Sequence, residues 1–213
     1  MGIRPVILAE GEFYHVYNRG VDHRPVVCDE YDADRFVNCL DTFNDTNLTG
    51  SIYALSFEED RARGEQLVDI VAYCLNPNHF HLILKQKLPQ GIQKFMHRLS
   101  GGYAWYFNSK YKRSGSLWQG RFNAKHIQDN QYLLHVSAYV NLNDKVHRLS
   151  GPAAKYVRSS WDEYKNNYGF CQKTIILSQF PDKSGYIDFA TTTLPAMLDK
   201  RKDYEELKHL MME

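Results

Sequence analysis

His79 and His81 flank one bulky apolar residue at the head of Asn76-Pro77-Asn78-His79-Phe80-His81-Leu82-Ile83-Leu84. The apolar run reads as a buried strand, on which alternate side chains share a face. The two imidazoles therefore point the same way while Phe80 turns toward a core. Two imidazoles side by side make half of a metal site. The Asn-Pro-Asn ahead of them is a turn signal, which sets the pair at a sheet edge open to substrate. The plainer alternative is one satisfied core histidine beside one surface residue.

From Asp129 to Asn143 the pattern predicts an amphipathic helix, opened by Asp129-Asn130 and carrying Tyr132, Leu133, Val136 and Val140. His135, Tyr139 and Asn143 follow at four-residue intervals and stack along one face. A tyrosine one turn ahead of a carbonyl-bearing amide is an odd pair for a core stripe. It suits a site in which Asn143 gives an oxygen to the metal and Tyr139 is delivered beside it. Spacing alone is equally satisfied by a tyrosine that merely packs.

Further blocks flank these two: Phe13-Tyr14-His15-Val16-Tyr17-Asn18-Arg19-Gly20, Ala72-Tyr73-Cys74-Leu75 leading into the histidine strand, and Leu117-Trp118-Gln119-Gly120-Arg121-Phe122. Tyr132-Leu133-Leu134 then runs into Tyr139-Val140-Asn141-Leu142-Asn143, with a weaker echo at Ser159-Ser160-Trp161-Asp162-Glu163-Tyr164. In this order the blocks resemble the REP-associated tyrosine transposases, single-tyrosine HUH (His, hydrophobic, His) transposases and nucleases of the IS200-like superfamily. The resemblance implies an α+β, ferredoxin-like sandwich with a central, mainly antiparallel sheet and the histidines on a central strand. It implies a divalent metal held by His79, His81 and Asn143, with Tyr139 as nucleophile. It also implies a single-stranded DNA substrate folded into imperfect hairpins, with a short guide read beside the stem. One departure is Asp144, where a proline usually follows the asparagine; its carboxylate is a stand-in ligand candidate ranked below Asn143.

The chemistry fits these residue types. Cutting a phosphodiester needs charge neutralisation at the phosphate and a nucleophile in line with the leaving oxygen. A phenol with an ordinary pKa of about 10 is protonated at neutral pH, so a metal that polarises the phosphate compensates for a modest nucleophile. Attack leaves a 5′ phosphate on Tyr139 and a free 3′ hydroxyl, and the retained bond lets strands rejoin without ATP. Two imidazoles and an amide oxygen are intermediate in softness, with Mg²⁺ or Mn²⁺ expected as the working cofactor.

Charge distribution points independently to nucleic acid. The chain balances 26 Lys+Arg against 25 Asp+Glu, so net charge decides nothing. Between Asp69 and Asp129, however, no acidic residue occurs, while Lys85, Lys87, Lys94, Arg98, Lys110, Lys112, Arg113, Arg121 and Lys125 fall there. Such a window around a metal site is what a phosphate backbone requires. Trp118 and Tyr111 are its candidates for stacking on unpaired bases. Asn18 and Arg19, before Gly20 at a strand end, are placed to read base edges, although a plain turn accounts for them equally. Asn18, Arg19, Arg98, Trp118, Arg121 and Lys125 make up the expected DNA-contact set.

The length suits a catalytic domain over residues 1–148 with an extension over 149–213 packed on it as added helices. Strands are expected at Phe13–Asn18, Ser51–Phe57, Val68–Leu75, the histidine segment to Gln86 and Leu117–Gln128. Helices are expected at Asp29–Asn44 and Gly91–Lys110, then shorter ones at Thr174–Phe180 and Tyr204–Met212. Cys28, Cys39, Cys74 and Cys171 show no paired spacing, and no signal peptide or membrane-length apolar run is evident, which reads as a cytoplasmic protein. Its length favours a monomer over a homodimer. Two other classes compete: a domesticated hairpin-DNA-binding protein that no longer cuts, and a metal-dependent hydrolase of small phosphoesters in which Tyr139 only packs. The intact His79, His81, Tyr139 and Asn143 speak against the first, and the acid-free window against the second.

Overall fold

The computed structural model describes residues 6–47, 62–166 and 168–210, with side chains as far as Arg201. The strand expected at Ser51–Phe57 lies outside the described residues. Strand β1 (Phe13–Arg19) leads to helix α1 (Glu30–Thr42), the hairpin β2 (Val68–Asn76) and β3 (His79–Gln86), the long helix α2 (Gly91–Lys110) and β4 (Asn123–Ile127). With the two-residue strand β5 (Arg158–Ser159) at one edge, the strand order is β4-β1-β3-β2-β5, and the pairs along it are antiparallel. The first four strands thus have the split β-α-β arrangement of a ferredoxin-like sandwich, and the class is α+β.

Alternation along β1 and β3 divides the molecule into two layers. Tyr14, Val16, Phe80, Leu82 and Leu84 turn to one face and pack with Phe36 and Leu40 of α1 and Phe95, Met96, Leu99 and Tyr103 of α2. Ile83 turns to the other, where it meets Leu133, Val136 and Val140 of helix α3 (Asn130–Asn141). Phe13, His15, Tyr17 and Arg19 of β1 and His79, His81 and Lys85 of β3 belong by alternation to this second face. A β-bulge between Ile70 and Ala72 shifts the parity of β2, so that Val71, Ala72 and Cys74 all join the α3 layer.

Local chemistry explains the helix boundaries. Asp29 caps α1 by accepting from the Asp32 amide at 2.9 Å, and Asp129 caps α3 from the Tyr132 amide at 2.7 Å. The Gly101-Gly102 pair, which ought to weaken the middle of α2, is accommodated because a Cβ on Gly102 would lie 2.5 Å from the Phe43 ring. The glycine admits that ring against the helix.

Three expectations change. The strand over Leu117–Gln128 contracts to β4, because Leu117 and Trp118 turn into the core and only an isolated bridge joins Trp118 to Gly20. The helix over Asp129–Asn143 breaks at Leu142 (φ −108°, ψ 20°), and a short helix α4 (Asn143–Val146) begins beyond it. The terminal helix starts at Lys183 rather than Tyr204, since Gly185, three consecutive threonines and the internal Pro195 mask its periodicity.

The chain beyond Leu149 is stitched to this framework. Strand β5 pairs with Cys74 and Leu75 of β2. Helices α5 (Trp161–Asn166), α6 (Thr174–Leu177) and α7 (Lys183–Leu210) follow. Tyr164 donates its hydroxyl to the Val71 carbonyl at 2.9 Å. The Tyr186 hydroxyl, fully buried, accepts from Asn141 Nδ2 at 2.8 Å and lies 3.0 Å from Ser137 Oγ, which ties α7 to α3. No helix among the described residues is long and apolar enough to cross a membrane.

Candidate metal and nucleophile site

The β2–β3 turn that presents His79 is held from outside. The Pro77 carbonyl accepts from the Val26 and Val27 amides at 2.7 and 3.1 Å, and the Asn78 carbonyl accepts from the Gly20 amide at 2.8 Å. Gly20 is required there because a Cβ would meet the Arg24 carbonyl oxygen at 2.1 Å. His79 stands opposite Arg19, and His81 opposite Tyr17.

Each imidazole is oriented by its neighbours. His79 Nδ1 lies 2.6 Å from Asn78 Oδ1, an acceptor, so the ring proton belongs on Nδ1 and the Nε2 lone pair faces inward. Nε2 sits 2.9 Å from Asn76 Nδ2 and 3.3 Å from Asn143 Oδ1. His81 Nδ1 lies 2.8 Å from Nε2 of His15, the diagonal neighbour on β1, which leaves Nε2 of His81 for another partner.

Burial keeps all three rings neutral at pH 7. It lowers His79 to about 4, opposed by the Asn143 hydrogen bond and assisted by the charges of Arg201 and Arg19. His15 also falls to about 4 through burial and the Lys125 charge. His81 lies well below the usual histidine range through burial and then its histidine neighbours. Neutral imidazoles offer the lone pairs that a cation needs.

Tyr139 comes to the same place from α3. Its ring centroid is 5.5 Å from that of His81 and 6.0 Å from that of His15, edge-on to both. Burial raises its phenol above the ordinary tyrosine value, while the Asn143 amide and the positive charge of Arg201 pull it back. His135 takes no part: it is exposed and its ring lies against Phe189 at 5.3 Å.

One contributor escaped the sequence reading. Ligand-capable atoms of His79, His81 and His147 all lie within 4.8 Å of one another. His147 continues the four-residue series from Tyr139 and Asn143, but it lies past the expected helix end, where that spacing no longer places a side chain. Among the described residues Asp144 does not join this cluster.

Asn143 is fully buried and half satisfied. Its Oδ1 accepts from Asn76 Nδ2 at 2.7 Å, while its Nδ2 has no partner within hydrogen-bond distance. A half-turn of a carboxamide exchanges its oxygen and nitrogen, so either end can present an acceptor. Three imidazoles and an amide with one orphaned end fit a divalent cation.

The expected DNA contacts divide. Arg19 is exposed beside His79, with its guanidinium on the Gln119 side chain. Lys125, paired with His15 across the β1–β4 ladder, is exposed with its ammonium 5.2 Å from the Tyr132 ring centroid. These two flank the histidines. Arg121 is exposed but lines a groove with Leu8, Met96 and Phe122 on the α2 side.

Three expectations are corrected. Asn18 is buried and donates to the Gly120 carbonyl at 3.0 Å, so it shapes the 117–121 loop rather than facing bases. Trp118 is 6% exposed, packs edge-on to Phe80 and donates its indole N–H to the Ser100 carbonyl, leaving no face for stacking. Arg98, on α2 across the sheet, donates to the Asp45 carbonyl. The acid-free window is also partly neutralised from outside. Lys110 binds Asp29 and Asp32, each at 2.7 Å, and the Tyr111 hydroxyl donates to Asp32 at 2.8 Å.

Residues 60–143 match the family model described as "Transposase IS200 like". That span holds His79, His81, Tyr139 and Asn143 together. Among solved structures, the chain is similar to a REP-associated tyrosine transposase bound to a REP hairpin, at 14% identity and a TM-score of 0.47, over 80% of this chain and 90% of that one. No curated protein matches the chain.

Proposed function

We propose that this protein is a metal-dependent single-stranded DNA transposase that nicks and rejoins hairpin-forming DNA through a covalent bond between Tyr139 and a 5′ phosphate. The observation that carries the reading is the convergence of Tyr139 and the histidines, with ring centroids 5.5 Å apart for Tyr139 and His81. The family match over residues 60–143 supports it, because the matched span includes His79, His81, Tyr139 and Asn143.

His79, His81 and His147 would hold the cation with Asn143, and when bound it supplies charge neutralisation at the phosphate. The larger share of imidazole nitrogen suits Mn²⁺ and later first-row ions better than Mg²⁺. The rest of the work belongs to the chain. The phenol oxygen of Tyr139 attacks phosphorus, the bond to the 3′ oxygen breaks, and the departing strand leaves with a 3′ hydroxyl. The Asn143 amide eases loss of the phenol proton against the effect of burial. Arg19 and Lys125, exposed beside the histidines, hold the DNA backbone. Single-stranded substrate follows from the use of one tyrosine, since one nucleophile makes one cut. On this reading residues 1–148 form the catalytic domain and 149–213 its packed extension, acting as a monomer.

The test is to incubate the protein with labelled hairpin-forming single strands and Mn²⁺, then denature and resolve the products. A covalent adduct that chelator prevents and Tyr139→Phe abolishes, with the circular dichroism unchanged, is the expected result. Cutting by the Phe variant would reject the nucleophile, and tight hairpin binding by the wild type without cutting would favour a domesticated binder.

A further inference from the structure

Arg201 sits far along α7, some sixty residues after Tyr139 in a segment to which the mechanism above gives no role. Its guanidinium Nη1 donates to the Val146 carbonyl at 3.0 Å. Val146 is the last residue of α4 and immediately precedes His147 of the histidine cluster. The same helix is pinned earlier by Tyr186, whose buried hydroxyl bonds Asn141 beside the Tyr139 turn. Two fixed points therefore carry α7 from the tyrosine helix to the histidine end of the site. The Arg201 charge lies near enough to act on both His79 and Tyr139. Arg19, which acts on His79 from β1, is a second cation at the same place.

We propose that Arg201 is a phosphate-binding residue of the active site, engaging the non-bridging oxygens of the phosphodiester that Tyr139 attacks; this rests on the function proposed above. A guanidinium is always charged and presents five N–H donors in a planar fork matched to phosphate oxygens. Anchoring one edge on a backbone carbonyl removes the freedom that a long side chain otherwise loses on binding. Charge at the transferred phosphate grows toward the transition state, where a preorganised cation contributes most. The extension is then an integral part of the site.

The experiment compares Arg201→Gln, Arg201→Lys and the neighbouring exposed Lys200→Gln in the full chain. Glutamine removes the charge but its amide is two bonds shorter than the guanidinium and loses the Val146 anchor as well, so Arg201→Lys, which keeps the charge, separates the two effects. The first measurement is the single-turnover rate of adduct formation with Mn²⁺, expected to fall about 100-fold or more in Arg201→Gln. Arg201→Lys should recover part of that rate, and Lys200→Gln should match wild type. The second uses a Tyr139→Phe background with chelator, and measures single-strand affinity against salt. Loss of one phosphate contact lowers the magnitude of the log–log slope by about 0.7, expected for Arg201→Gln and not for Arg201→Lys. Unchanged slope and rate in Arg201→Gln would overturn the assignment. So would a Lys200→Gln effect of equal size, since the charge would then act without regard to place. If wild type forms no adduct at all, the proposed function fails, and the salt slope still decides on Arg201.

Discussion

Nε2 of His15 and Nδ1 of His81 lie 2.8 Å apart across the β1–β3 ladder. The contact fixes the ring of His81 and reserves its other nitrogen for the cluster with His79 and His147. Partners of this kind, one step behind a ligand, typically change metal affinity by about 10- to 100-fold. His15→Phe should weaken Mn²⁺ binding by that amount in calorimetric titration, whereas His15→Gln, which keeps an acceptor, should lose less. Equal affinity in wild type and His15→Phe would remove His15 from the site.

The identity of the third ligand is separable. His147→Ala should cost about tenfold or more in Mn²⁺ affinity if its imidazole binds the ion, with Asn143→Ala adding to it. Should His147→Ala bind as wild type while Asn143→Ala does not, the site reverts to the two-histidine, one-amide set implied by the sequence.

Acid should unfold the protein early. His15 and His79 have folded-state pKa values lowered from 6.5 to about 4, and burial holds His81 well below 6.5. Between these limits the unfolded chain binds more protons than the folded one, so stability is full above pH 6.5 and declines as pH falls toward 4. Roughly 1–2 kcal/mol per imidazole should be lost between pH 7 and pH 5 in metal-free urea titrations. His15→Gln should show a shallower decline, and a flat profile would contradict the neutral cluster.

A second polar cluster holds α1 to α2. Asp32, fully buried, accepts from Tyr106 at 3.0 Å, Tyr111 at 2.8 Å, Lys110 at 2.7 Å and the Cys28 amide at 2.9 Å. Asp32→Ala strands these donors and should destabilise the fold by roughly 3 kcal/mol in denaturant titration. The cluster lies on the other face of the sheet from the histidines, so metal affinity measured well below the melting point should not change.

The paired histidines, Tyr139 and Asn143 were legible because period two and period 3.6 settle which side chains share a face. His15 was not, since its role depends on a register joining residues far apart in the chain. Nor was His147, because the break at Leu142 removes the helical rule that would have placed it. Trp118 and Asn18 show the converse. Set among basic residues, they looked fit for DNA, but apolar volume and a buried backbone carbonyl claimed them. The linear acid-free window likewise hid that Lys110 finds its carboxylates on α1. The ferredoxin-like order was accessible through the resemblance, whereas α7, whose threonines, glycine and proline blur any stripe, emerged only in three dimensions.

The interruption at Leu142 means that the phenol and the His147 imidazole ride on separate levers. In an unbroken helix, an extra residue would swing everything after it by about 100° around the axis. Here such an insertion at the joint would leave Tyr139 seated against His81 and throw Asn143 and His147 out of reach. Nucleophile and metal grip can thus drift independently in evolution, and this hinge is where a cutting enzyme most easily turns into a mere binder.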